Sequence, residues 1–116
     1  MKKPTLIYSE FDYTNAKPIF DSIIKILSPR FNCVCINNDS DKVIKADIML
    51  QVSNYAGHRS AAVVAMMNRL PIVTTNEDLL DLTSKRSFGI ILSKDASVYD
   101  FVYAIHQVEW NKALYY

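Results

Sequence analysis

Eight consecutive residues, Ser53-Asn54-Tyr55-Ala56-Gly57-His58-Arg59-Ser60, gather most of the groups in this chain that suit ligand chemistry. Gly57 lets the backbone turn sharply or approach a ligand closely. Ser60 opens a run of small and apolar residues, so the N–H groups at the start of the following helix, with Arg59 beside them, suit a phosphate or carboxylate. Tyr55 and His58 add groups that hydrogen-bond or stack on a base. The same residues also serve a plain strand-to-helix connection, with Gly57 as the turn and Ser60 as the cap. Asn76 is placed to cap a further helix whose first turn carries Glu77 and Asp78. Other sets are thinner. Glu10 and Asp12 suit paired carboxylates or an acidic polar loop, and His106 stands far in sequence from any nucleophile, as a surface or helix-end residue. Cys33 and Cys35 point to one face if their segment is a strand, yet two thiolates do not complete a four-ligand zinc site. They read as reduced thiols in a core strand, and no metal site is expected.

The elements that position these groups alternate along the chain. Apolar runs predict strands at residues 5–8, 31–36, 46–52, 71–75 and 89–92, the third apolar enough to be buried on both faces. The segment 9–16 is polar. From Lys17, Ile19, Phe20, Ile23, Ile24 and Leu27 recur at helical spacing, Pro18 fits a first turn, and Ser28 with Pro29 ends the pattern. Further helices are expected over 60–68, after Asn76, and from about Val98, where Phe101, Val102, Ile105 and Val108 form a stripe. Residues 37–42 form a polar loop. Strands alternating with helices imply parallel strands joined by right-handed crossovers. The expected fold is a small doubly wound α/β domain over 1–116, five mostly parallel strands with helices on both faces. Ligands of such sheets bind beyond the carboxyl ends of the strands, which are residues 9–15, 53–60, 75–78 and 93–95 here.

Composition narrows the function classes. Thirteen Lys and Arg against twelve Asp and Glu leave a formal net charge of +1, which argues against a broad grip on nucleic acid or an anionic membrane. Two glycines, Gly57 and Gly89, stand where average usage of about 7% gives roughly eight. Glycine-rich dinucleotide and P-loop motifs are therefore excluded. No stretch approaches the ~18 apolar residues of a membrane span, and MKKPTLIYSEFDY lacks a signal-peptide core. The chain reads as cytoplasmic.

The stretch 46–75, ADIMLQVSNYAGHRSAAVVAMMNRLPIVTT, resembles the donor-binding half of retaining GT-B glycosyltransferases of the glycogen-synthase-like group. Ala46, Asp47, Ser53, Tyr55, Gly57, Ala65, Met66, Pro71, Val73 and Thr75 fall on that family's pattern without a gap. Gly89-Ile90-Ile91-Leu92 followed by Asp95 looks like its G-L-L-V strand and acidic loop, and the opening KPTLIYSEFDYTNAKPIF is similar to its first strand, loop and helix. The resemblance implies a nucleotide or nucleotide-sugar ligand held by Tyr55, Gly57, His58, Arg59, Ser60, Asn76 and Lys17, and it implies no resident cofactor. The family's E-x7-E glutamates fall on Ala56 and Val64, which accept no side-chain hydrogen bond. Its diphosphate-binding Arg and Lys fall on Glu10 and, two residues displaced, Lys17; a Glu there repels a diphosphate. The family's acceptor-binding domain has no counterpart in these residues, so the resemblance supports fold and ligand edge, with turnover needing a partner chain.

The stretch FGIILSKDASVYDFVYAIHQV also resembles the end of a response-regulator receiver domain. Receivers place acidic residues after strand one and a phospho-accepting Asp at the end of strand three. Tyr8-Ser9-Glu10 and Gln51-Val52-Ser53 stand there, so phosphotransfer is not expected. The alternative expectation is therefore a non-catalytic, pseudo-receiver-like interaction module, a homodimer among its forms. It would use the last helix with Trp110, Tyr115 and Tyr116.

Overall fold

A computed structural model of the chain describes residues 3–36, 45–52, 69–75 and 89–111. Five strands form one all-parallel sheet: β1 (Thr5–Ser9), β2 (Asn32–Ile36), β3 (Ile48–Gln51), β4 (Ile72–Thr74) and β5 (Gly89–Ile91), in the order β2-β1-β3-β4-β5. This is a doubly wound order, whose direction switches between β1 and β3. The expected strands are all present: β1 runs one residue further, to Ser9, and the other four are trimmed by one or two residues at one or both ends, where the chain leaves the ladder. β3 and β4 are buried along their whole length, as a continuous apolar run in a parallel sheet requires.

Three helices complete the described structure: α1 (Glu10–Asn15), α2 (Lys17–Leu27) and α3 (Val98–Trp110). α2 and α3 pack side by side on one face of the sheet. There Phe20, Ile23 and Leu27 of α2 and Phe101, Ile105 and Val108 of α3 meet Leu6, Ile48, Leu50 and Val73. Ile7, Met49 and Ile72 of the opposite face are buried as well. α1 replaces the polar segment expected at 9–16. Ser9 caps it, its hydroxyl accepting from the Asp12 N–H at 3.1 Å, and the one buried residue of the helix is polar Asp12. An apolar pattern cannot announce such a helix. α3 begins with a capping box: Ser97 Oγ accepts from the Asp100 N–H and the Asp100 carboxylate accepts from the Ser97 N–H, at 3.2 and 2.9 Å.

Two features hold the sheet's register. The first N–H of β1 donates to Asp47 Oδ2 at 2.8 Å, which gives the Ala-Asp of the family-like stretch a structural task at the amino edge. Gly89 pairs with Ile72, and a Cβ on Gly89 would come within 1.8 Å of the Ile72 carbonyl oxygen. Only glycine lets β5 lie this close to β4. β2 is an edge strand, which corrects the reading of Cys33 and Cys35 as core thiols. Cys33 is half-buried, Cys35 is exposed, and neither is in a disulfide.

Candidate functional site

The carboxyl edge of the sheet is described at β1, at the ends of β3 and β4, and after β5. Glu10 opens α1 and is exposed, whereas Asp12, two residues on, is buried at 2% exposure. The two carboxylates are thus separated by environment, and they do not form the exposed pair that their spacing allows. Behind them Tyr8, Tyr13 and Phe20 form an aromatic cluster with ring centroids 5.2–6.0 Å apart. Burial is the main cause that pushes the Tyr8 phenol up to about 12, with Cys35, Cys33, Tyr13 and Asp21 adding to it, so Tyr8 is a neutral packing residue. Tyr13 donates to Asp21 Oδ1 at 2.8 Å, and that bond raises its own pKa.

Lys17, the cation that the family resemblance assigns to a diphosphate, is the first residue of α2 and is exposed. Its Nζ lies 5.8 Å from the centroid of the Tyr13 ring, within cation–π range. Its place at the start of α2 agrees with the helix expected from Lys17, whereas its ring partner has no signal in the sequence. Tyr55, Gly57, His58, Arg59, Ser60 and Asn76 lie outside the described residues, as do the helices expected at 60–68 and after Asn76, the loop at 37–42, and Tyr115 and Tyr116.

At the centre of the edge, Gln51 ends β3 fully buried, and Thr74 donates its hydroxyl to Gln51 Oε1 at 2.8 Å. The backbone continues the tie, with the Thr75 N–H donating to the Gln51 carbonyl and the Leu92 N–H to the Thr74 carbonyl. This polar pair joins β3 to β4 where the sheet ends. Beyond β5, Ser93, Lys94 and Asp95 lie past the last ladder residue, and Ser93 Oγ accepts from the Asp95 N–H. Among the described residues no group of His, Cys, Asp and Glu is placed to hold a metal ion.

A second region stands out on α3. Its inward side carries Phe101, Ala104, Ile105 and Val108, all at 2% exposure or less. Its outward side carries Tyr99, Tyr103 and Trp110, exposed at 76%, 66% and 69%, with half-buried His106 between them. Steps of four, three and four residues keep these four on an arc of about 60°. The His106 ring stacks on Trp110 at 5.2 Å and 25°, and its other neighbour is Phe31 at 5.6 Å. Desolvation lowers the His106 pKa, Arg30 lowers it further, and Glu109 opposes both. His106 is therefore one ring of an aromatic row. No sequence-based expectation groups these residues; the 4-3-4 spacing of Tyr99, Tyr103, His106 and Trp110 is the signal that does.

No family model matches the chain, and none of the curated proteins matches it either. Solved structures do resemble it in fold. WaaG, a glycosyltransferase involved in lipopolysaccharide biosynthesis, superposes with a TM-score of 0.70 at 12% identity, over 97% of this chain and 40% of WaaG. A response regulator receiver protein from Sinorhizobium medicae WSM419 superposes at 0.62 with 17% identity, over 96% of this chain and 98% of its own. RPA3017, a response regulator in red light signaling of R. palustris, gives 0.51 at 20% identity, over 90% of each chain. This chain spans well under half the length of WaaG. Both resemblances read in the sequence thus reappear as likenesses of fold, and the chain is a doubly wound α/β structure similar to a glycosyltransferase and to receiver domains.

Proposed function

We propose that this chain is a non-catalytic α/β domain that works by protein contact through the outer face of α3. The observation that carries the reading is the row Tyr99, Tyr103, His106 and Trp110, set directly opposite the buried face of the same helix. Large exposed aromatic side chains in a contiguous group mark contact surfaces, because removing them from water is the main favourable term in association. The carboxyl edge supports the same reading from its chemistry. Glu10 stands exposed where the resembled transferases bind a diphosphate with arginine, and Lys17 lies over Tyr13. Gln51 ends β3 where receivers hold their phospho-accepting aspartate, and an amide forms no acyl phosphate. The test places a photoreactive phenylalanine analogue at Tyr103 in the host's own cells. An adduct of discrete mass is expected, and its absence overturns the reading.

A second reading is favoured by the ungapped family-like stretch at 46–75 together with the TM-score of 0.70 against WaaG. In it the loop from Tyr55 to Ser60, with Asn76 and Lys17, binds a nucleotide or nucleotide-sugar, and a partner chain supplies whatever turnover occurs. Thermal-shift and NMR titrations with UDP, GDP, ADP, CMP, their sugar conjugates and orthophosphate decide it. A ligand at 100 times its dissociation constant stabilises the fold by about 2.7 kcal/mol. A shift specific to one nucleotide, lost in Arg59→Ala, establishes this reading; a flat response across the panel removes it.

A further inference from the structure

The outer face of α3 has a symmetry that names its occupant. Tyr99 and Trp110 lie equally far from the midpoint between Ala104 and Ile105, and so do Tyr103 and His106. When the helix is turned end over end about that midpoint, every ring of the row falls on another ring. From this we infer that the partner of the α3 face is a second copy of this chain, packed antiparallel across a two-fold axis. This rests on the contact reading given above. In such an isologous interface one patch must be its own complement, and this row meets that condition along its full length of about 16 Å. Tyr99 of each copy packs on Trp110 of the other, and Tyr103 packs on His106.

The flanks agree with the row. A two-fold axis across antiparallel helices brings like flank against like flank. One flank carries Asp100 and Gln107, the other Val102 and Glu109. The acid of each flank then lies beside the neutral residue of the same flank on the second copy, Asp100 by Gln107 and Glu109 by Val102. No two like charges meet on α3. A heterologous partner would have no reason to require this reversal symmetry in residue type.

The area is of the right order. An aromatic side chain buries about 150–250 Å², so three rings exposed by two-thirds or more offer roughly 300–500 Å² per copy. A standard interface takes about 800 Å² from each partner. The row thus supplies the aromatic centre that a stable interface needs, and the flanks supply its rim.

Sedimentation equilibrium of the purified full chain at about 100 μM, comfortably above a micromolar dissociation constant, reads the assembly. A mass of two chains is expected for the native protein. Y99E sets a carboxylate against the partner's indole, and W110K removes that indole. Each suits its end of the helix electrostatically, so both fold, as circular dichroism verifies, and each weakens the dimer at least tenfold. Mixed one to one, they regain a dimer. The carboxylate introduced at position 99 of one copy then meets the ammonium introduced at position 110 of the other, while the native Tyr99–Trp110 contact remains on the opposite side. A monomeric native chain overturns the inference, as does a dimer indifferent to both variants. So does a mixture that dimerises no better than either variant alone. The photo-adduct at Tyr103 separates this failure from failure of the broader reading. An adduct of two chains agrees with the dimer, an adduct of any other mass overturns the dimer and keeps the contact reading, and no adduct overturns both.

Discussion

The two faces of α3 both carry large apolar or aromatic side chains, yet one is buried and the other exposed. Phe101, Ala104, Ile105 and Val108 lie against the sheet at 2% exposure or less, whereas Tyr99, Tyr103 and Trp110 are at least 66% exposed. A helix on the surface of an α/β domain ordinarily has one apolar stripe and one charged one. Here the outward stripe is aromatic, and the few charges, Asp100 and Glu109, sit on its flanks. In the proposed reading, fold stability belongs to one side of this helix and association to the other. Substitutions on the two sides separate them.

The largest effect is expected on the inner side. Phe101→Ala removes a ring 1% exposed in the main core, and a loss of about 3–5 kcal/mol in unfolding free energy follows from the lost transfer energy and the residual cavity. Tyr103→Ala, two residues on, changes stability by no more than about 0.5 kcal/mol, because its ring is 66% exposed in the free chain. Urea titration of each variant at a concentration low enough to keep the chain monomeric measures both. A Tyr103→Ala loss approaching that of Phe101→Ala would erase the distinction between the faces.

Thr74→Val comes next. It keeps the shape of the side chain but leaves Gln51 Oε1, fully buried, without the 2.8 Å hydroxyl donor. A cost of about 1–3 kcal/mol is expected for the lost buried hydrogen bond. This change acts on the sheet beneath α3, so chemical denaturation registers it while the α3 face keeps its structure. An effect on association as large as that of Y99E would mean that the outer face is not independent of the core.

Ser97→Ala sharpens the comparison from the other direction, because one cap serves both faces. Loss of the Ser97 hydroxyl leaves the Asp100 N–H, in the first turn of α3, without its side-chain acceptor and costs about 1 kcal/mol. Hydrogen exchange localises the fraying to the first turn, where Tyr99 sits. Tyr99 is the end of the aromatic row, so the same variant weakens association, by less than Y99E does. Intact protection of the first turn in Ser97→Ala would show that the cap is redundant.

How much of this was legible beforehand follows from what each element depends on. β3 and β4 announce themselves because strands buried on both faces are continuous apolar runs, and α2 does so because Phe20, Ile23 and Leu27 recur on one side. α1 does not, since a serine cap and one buried acid, Asp12, define it and no apolar period exists to find. The position of Lys17 could be read from spacing. Its ring partner could not, because Tyr13 and Lys17 meet only after α1 turns into α2 at Ala16. The outer row of α3 was present in the spacing of residues 99, 103, 106 and 110. Periodicity searches reward the stripe that faces the core, and a second stripe on the same helix becomes visible only when burial divides the two.

The smallest effect, and the one that joins the two faces, is that of pH on His106. Its ring lies between Phe31, which belongs to the core, and Trp110, which belongs to the outer row. Desolvation lowers its folded-state pKa below the ordinary 6.5, Arg30 pushes the same way, and Glu109 pushes back. A base whose pKa falls on folding binds its proton more weakly in the native state than in the unfolded one, so its contribution to stability is fully present above pH 6.5. That contribution declines as the pH drops from 6.5 through the lowered folded value, and it stays lost below it. Packing against Tyr103 of a second copy would desolvate the ring further, so association should weaken in the same direction and over the same window. Denaturation and sedimentation between about pH 5 and pH 8, the range in which histidine titrates, should both lose part of their pH dependence in His106→Gln. If stability rises on acidification in the native chain and is flat in His106→Gln, the ring is charged in its stack, and the row is held by a cation beneath Trp110 instead of by four neutral rings.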